Sequence, residues 1–373
     1  MTGKDMKIDR IDTTEYLLVE PGKIKTRHDR ITNIPDGHCL VKTAGFGICS
    51  GDDKYFAGHK DPQKLKERLP LIQGHEGSGY IVASDNGSFS PDELVAVIPF
   101  IACGQCQSCK TGRANYCPDR VMMASNGPGL ARTYFVYPST HLVKLPGGVS
   151  HFIASLLEPS SIALRAILSV NVKPQDQVAV IGSGAIGFLI AVHLAYFSGI
   201  PKNHLHLFGR QPGKLALTND FVTTHIIGDN SKSQYGKYDF VFEAVGAEKS
   251  VQLALKLTAK TGTCIVVGIK DGPVSLSAEH DGLMIPDLTK FVNSGGSLSL
   301  GSKRVKSSAF SLPGDYFTVA GAISNPGYRD KLERMINPDR TFPVNSATEL
   351  TEAFLFNERH PHFQRTFVVF GDQ

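Results

Sequence analysis

Long apolar runs are scarce in this sequence. No stretch reaches the ~18 residues needed to cross a bilayer, and the longest candidate, 186–197, is interrupted by His193. No targeting segment is expected either. The opening MTGKDMKIDRIDTT is polar, without the apolar core and small-residue cleavage site of a secretory signal, so a cytoplasmic protein is expected rather than a membrane one. Charge of one sign is equally short. The 39 Lys and Arg exceed the 35 Asp and Glu by four over 373 residues, too dilute for the clustered basic face that nucleic acid requires. No DNA or RNA partner is expected. With 41% hydrophobic and 20% charged residues, the composition excludes disorder, collagen and coiled coil, and the length implies about two domains.

Cysteine is present in an odd number, seven, and four of the seven fall within fifteen positions. That distribution suits a metal in a reducing compartment better than a disulfide framework. From Tyr16 to about Pro146 short β-branched and aromatic runs alternate with Gly and Pro signals, a pattern that predicts an all-β region. At Gln177 apolar strands begin to alternate with helix-length segments, which predicts a parallel sheet with helices on both faces. After about Lys303 come YFTVAGAISN, a helix-like region ending near Glu358 and a final strand, RTFVVFG.

The strongest motif is Cys103-x2-Cys106-x2-Cys109-x7-Cys117. Four thiolates in so short a loop surround one tetrahedral Zn²⁺, with Gly104 and Gly112 letting the backbone wrap the ion. Two disulfides or an iron–sulfur cluster are the competing readings, disfavoured by compartment and spacing. Four thiolates leave no open coordination position, so this metal would hold a loop and not catalyse.

The second motif is Gly182-Ser183-Gly184-Ala185-Ile186-Gly187, directly after the strand-like VAVI and opening an apolar helix. In that context Gly182 makes a tight turn, Gly184 admits a pyrophosphate and Gly187 permits close helix–strand packing. The helix N-terminus supplies N–H donors to the phosphates. An acidic residue after the next strand would select NAD; Gly209-Arg210 stands there instead, with Lys214 a turn further on. A guanidinium attracts a 2′-phosphate, so NADP(H) is expected over NAD(H), against the alternative that Arg210 is a solvated charge.

Cys49, His75-Glu76 and Glu158 are linked by no spacing rule. Taken alone, Cys49 could be a small core residue, His75 a satisfied histidine and Glu158 a helix cap before Pro159.

Together, GICSGDD, GHEGSG, the four-cysteine lobe, LLEPSS and GSGAIG stand in the order and at the separations of the zinc-dependent medium-chain alcohol and polyol dehydrogenases, which the chain resembles over nearly its whole length. The resemblance implies an α/β fold: a Rossmann doubly wound parallel sheet, 161–304, inserted in a β-rich GroES-like catalytic domain, 1–160 and 305–373, with the zinc lobe at 99–118. It implies that Cys49 and His75 are catalytic-zinc ligands, and that Glu158 stands where sorbitol- and glucose-dehydrogenase-like members carry a glutamate. Glu76 looks like the residue that coordinates directly or through water. One thiolate, one imidazole and one carboxylate offset the zinc charge and leave a fourth position open, so the metal would act as a Lewis acid on the substrate oxygen while nicotinamide carries the hydride. The active site is expected in a cleft lined by the strand ends at Val245, Gly246, Gly268, Ile269, Gly301 and Ser302. The resemblance also implies a homodimer or homotetramer.

Two departures stand out. Where the family has a relay hydroxyl, two residues after the first ligand, this chain has Gly51, and Lys54 replaces a frequent histidine. A narrower resemblance, carried by CSGDDKYFAGHKDPQKLKERLP, HLFGRQPGKLAL and LGSKRVKSSAF, is to the NADPH-using ribulose-5-phosphate reductases (ribitol-5-phosphate dehydrogenases), which also lack that hydroxyl. Lys54, Lys60, Lys303 and Arg304 would then offer charge to a substrate phosphate, or are simply solvated. A glucose- or sorbitol-dehydrogenase-like enzyme on unphosphorylated sugar is the alternative. A zinc-free quinone or enoyl reductase and a non-catalytic scaffold protein are the remaining readings.

Overall fold

A computed structural model describes residues 5–269, 272–276, 284–360, 362 and 364–371. The outermost residues of the expected β-rich domain, 1–4 and 372–373, lie outside the described residues. The chain divides into two compact units: 1–103, 118–158 and 316–373 form the first, and 104–117 with 159–315 form the second.

The first unit is mainly antiparallel. Its seven-stranded sheet runs Leu142–Lys144, Leu94–Val97, Glu76–Ser84, His38–Ile48, Thr366–Val369 and Thr341–Pro343 in spatial order, and Tyr134–Pro138 also pairs with His38–Ile48. The strand His38–Ile48 is central because it is apolar on both faces: Val41, Phe46 and Ile48 are buried among Leu18, Leu130, Phe135, Phe354 and Val368. A three-stranded sheet adds Met6–Glu20 between Lys23–Ile34 and Leu71–Ile72. Lys23–Ile34 is almost wholly exposed and studded with Lys, Arg and Asp, the charge pattern that keeps an edge strand from pairing with another chain. Two short helices interrupt the β region, Ser50–Phe56 and Pro62–Arg68.

In the second unit six parallel strands lie in the order Thr223–Ile226, Leu205–Gly209, Val178–Ile181, Tyr238–Glu243, Thr258–Val266 and Lys303–Ser307, and Ser297–Leu300 closes the edge as an antiparallel seventh. That is the doubly wound order, whose direction of winding reverses between Val178–Ile181 and Tyr238–Glu243. Val178–Ile181 is buried on both faces, as a continuous apolar run in a parallel sheet must be. Helices Ala185–Phe197 and Glu248–Leu257 pack on this sheet. The segment YFTVAGAISN, left without an element by its pattern, lies largely in the helix Pro313–Ala322.

Candidate active site

The first cluster is built by the ladder between His38–Ile48 and Glu76–Ser84. Its register sets Gly47 opposite Glu76, so the residues just beyond, Cys49 and His75, emerge side by side. Cys49 is also the N-cap of Ser50–Phe56: its Sγ accepts from the Gly51 N–H at 3.1 Å, while Asp52 accepts from the Cys49 N–H at 3.2 Å. This reciprocal cap fixes the thiol. Cys49 Sγ lies 3.5 Å from His75 Nε2, and ligand atoms of Cys49, His75 and Glu76 all fall within 4.8 Å of one another.

Behind His75, Asp52 Oδ1 faces Nδ1 at 3.4 Å and accepts from the Gly74 N–H at 3.3 Å. A carboxylate on the rear nitrogen presents Nε2 forward in the tautomer a metal needs. Glu76 is buried, its Oε1 held by Arg365 at 2.5 Å, while its Oε2 has no partner among the described residues. Glycine clears the space: a side chain at Gly47 would come within 3.1 Å of that oxygen, and one at Gly74, where φ is +87°, would strike the Phe46 ring.

The electrostatics follow from burial. Burial pushes the Cys49 thiol up to about 11. Burial would lower His75, but the Cys49 and Asp52 charges outweigh it and hold the ring well above its ordinary value. Burial also raises Glu76 against the pull of Arg365. Glu158, buried near the start of Leu157–Leu168, lies outside the 4.8 Å set, although its charge is felt at Glu76; burial raises its own pKa.

The donor set fits zinc. Ligands bound at about 2.1 and 2.3 Å with tetrahedral angles sit roughly 3.6 Å apart, which is the Cys49–His75 separation. Sequence reasoning missed Asp52 and Arg365. Asp52 had a signal, three residues after Cys49 in the capping-box position; Arg365 had none, being 289 residues from Glu76. At Gly51 an added Cβ would meet only Cys49 Sγ, at 3.1 Å, so the position is otherwise open.

In the lobe the sulfurs of Cys103, Cys106, Cys109 and Cys117 also lie within 4.8 Å of one another. Cys106 is 3.5 Å from Cys109 and 3.8 Å from Cys117, far beyond the ~2 Å of a disulfide and suited to a shared ion. Gly104 and Gly112, both at φ +73°, turn the backbone around them.

The glycine motif sits at the carboxyl end of Val178–Ile181. Gly182 adopts φ +111°; a side chain at Gly187 would lie 1.7 Å from the Gly182 carbonyl oxygen, whereas one at Gly184 would meet nothing. Gly184 caps Ala185–Phe197, with Ile186 in its first turn, and offers no side chain to the helix N–H groups. Such an open, uncapped N-terminus fits a pyrophosphate. A side chain at Gly209 would strike Ser183, so the two turns touch and the exposed Arg210 follows directly; Lys214 lies in Pro212–Ala216. Val245 and Ile269, beside Gly268, stay 44% and 41% exposed at neighbouring strand ends, apolar surface that a ligand would cover. Of the expected phosphate-binding cations, the Lys303 ammonium donates to the Leu255 carbonyl at 2.6 Å, Lys60 sits 5.0 Å above the Tyr55 ring, and Arg304 is exposed.

Residues 35–147 match the family model of the alcohol dehydrogenase GroES-like domain. The chain is 28% identical over 305 residues to D-xylulose reductase A of Aspergillus oryzae, covering 77% of this chain and 82% of that protein. It is 24% identical over 268 residues to ribulose-5-phosphate reductase of Streptococcus pneumoniae, covering 70% and 75%. Residues 35–147 thus carry an alcohol dehydrogenase GroES-like domain, and over most of its length the chain is similar to zinc-type polyol dehydrogenases and ketose reductases. The fold agrees: the crystal structure of S. aureus TarJ in complex with NADPH superposes with a TM-score of 0.75 at 19% identity, over 97% of this chain and all of that one. By these likenesses the chain is an oxidoreductase of the alcohol or polyol dehydrogenase type with GroES-like and Rossmann architecture, and no described helix is long and apolar enough to cross a membrane.

Proposed function

We propose that the chain catalyses zinc-dependent, NADP(H)-linked interconversion of a polyol secondary alcohol and its ketose, with a phosphorylated pentitol and pentulose as the first substrate class. The observation that carries this reading is the convergence of Cys49, His75 and Glu76 with Asp52 behind the imidazole. When bound, zinc supplies a Lewis acid for the substrate oxygen and the nicotinamide carries the hydride.

The chain's own residues do the rest. Asp52 orients His75, and Arg365 opposes the burial that favours the neutral form of Glu76. Glu158, outside the set that converges on one point, acts there through its charge on Glu76. The lobe cysteines hold a second zinc that keeps their loop folded. In the parallel-sheet unit the helix opened by Gly184 faces the pyrophosphate and Arg210, with Lys214, faces the 2′-phosphate. NADPH in the similar TarJ structure and the name of the S. pneumoniae relative support the cofactor and the phosphorylated substrate. A cytoplasmic homo-oligomer completes the reading.

The engagement of Lys303 with Leu255 favours the second reading, an unphosphorylated sugar or polyol, because it removes one of the four expected phosphate-binding cations. Assays of pentoses, hexoses, polyols and their phosphates with NADP⁺ and NADPH decide. Ribulose 5-phosphate far outperforming ribulose supports the phosphate reading; dominance of sorbitol or glucose overturns it. Elemental analysis is expected to find two zinc per chain, and none would sink the metal reading.

A further inference from the structure

Glu243 ends the strand Tyr238–Glu243 and is fully buried. Its Oε1 accepts from the backbone N–H groups of Val245 and Gly246, both at 2.9 Å, and its Oε2 accepts from Gly246 at 3.1 Å. Its main-chain carbonyl accepts from the N–H groups of Val267 at 2.8 Å and Gly268 at 3.0 Å. One residue thus gathers four backbone N–H groups, two from each of two adjacent strand ends, and none of these partners is a cation.

Where a chain leaves a parallel sheet its N–H groups lose their ladder partners, and leaving them buried and unpaired is costly. Here a carboxylate takes them inward. Because a trans peptide sets its carbonyl opposite its N–H, the Val245 and Val267 carbonyls turn away from Glu243, and neither accepts a hydrogen bond among the described residues. The two turns are also locked against each other. A side chain at Gly268 would lie 2.0 Å from the Gly246 nitrogen, and one at Gly246 would lie 2.8 Å from the Gly268 carbonyl carbon. A side chain at Gly182 would strike Val245, so the same assembly abuts the glycine motif at the point where the sheet reverses its winding.

We propose that Glu243 is a positioning residue for the nicotinamide half of the dinucleotide, setting the Val245–Gly246 and Val267–Gly268 turns as one rigid, acceptor-lined platform. This rests on the dinucleotide reading above. With the 2′-phosphate at Arg210 and the pyrophosphate at Gly184, the second mononucleotide lies across the reversal point, over these two turns. A neutral side chain keeps the strand but weakens the charge-assisted bonds that set the platform.

The test uses Glu243→Gln and Glu243→Asp in the full chain, with thermal melting to establish that each folds. In dinucleotide-free protein, amide hydrogen exchange at Val245 and Gly246 is expected to speed up about tenfold or more in Glu243→Gln. By titration calorimetry the Kd for NADPH is expected to rise about tenfold, while that for 2′,5′-ADP, which carries only the adenine half, stays within twofold. Glu243→Asp, charged but shorter, should fall between wild type and Glu243→Gln. Unchanged exchange and NADPH affinity, or equal weakening of both ligands, overturns the assignment and leaves the dinucleotide reading intact. A wild-type chain that binds neither ligand overturns both.

Discussion

Arg365 donates to Glu76 at 2.5 Å across 289 residues of sequence, with Glu76 buried and Arg365 only 12% exposed. The pair closes the Cys49–His75–Glu76 cluster with a residue remote in sequence. Removing one member of a buried ion pair strands the other charge. Arg365→Met is expected to destabilise the protein by about 3–5 kcal/mol, read as a lower urea midpoint at unchanged slope. A loss below about 1 kcal/mol would show that Glu76 does not depend on it.

Cys49→Ser should remove the site metal while sparing the lobe. The expected zinc content falls from two to one per chain, turnover is lost, and the Kd for NADPH changes less than twofold. Full activity with one zinc would rule out Cys49 as a ligand.

Arg210 follows the Gly209–Ser183 contact and is exposed. Arg210→Ala is expected to raise the KM for NADPH by about 1–3 kcal/mol, the strength of a charged hydrogen bond, and to leave the KM for NADH nearly unchanged. Equal changes for the two cofactors would make Arg210 a surface charge.

Position 51 has room. Gly51→Ser should fold normally, with Cys49 Sγ yielding a few tenths of an ångström, and should restore the missing hydroxyl. If proton release limits turnover, kcat rises several-fold and the solvent isotope effect shrinks. An unchanged isotope effect would show that another group already carries the proton.

Asp53 accepts from Asn357 through Oδ2, while its buried Oδ1 has no partner among the described residues, and burial pushes its carboxyl up to about 6. The unfolded carboxyl titrates near ~3.9, so the folded chain holds this proton more tightly and loses stability as pH rises from about 4 to 6. Asp53→Asn removes that loss. Its melting temperature should exceed that of wild type at pH 7.5, by at most about 3 kcal/mol of stability, and match it near pH 4. A difference independent of pH would refute the assignment.

Much of this was legible in the residues. The alternation after Gln177 yields the parallel sheet because buried strands are continuous apolar runs, as in Val178–Ile181. Lys23–Ile34 was not legible, since an exposed edge strand of Lys, Arg and Asp carries no hydrophobic period. Lys303–Ser307 escaped for a related reason: its inward face is Val305 and Ser307 between polar neighbours. In the site, Cys49 and His75 could be named from their motifs, but their juxtaposition comes from a ladder register, and Arg365 stands just ahead of a strand that no local pattern connects to them.

The strand Thr366–Val369 lies beside His38–Ile48, pairing Thr366 with Ile48 next to Cys49. A nascent chain on the ribosome therefore carries Cys49, His75 and Glu76 long before the strand that braces them emerges. An ion held at that pocket would wait for this distant strand, whereas the cysteine lobe, closed within fifteen consecutive residues, would load its own without help from the rest of the chain.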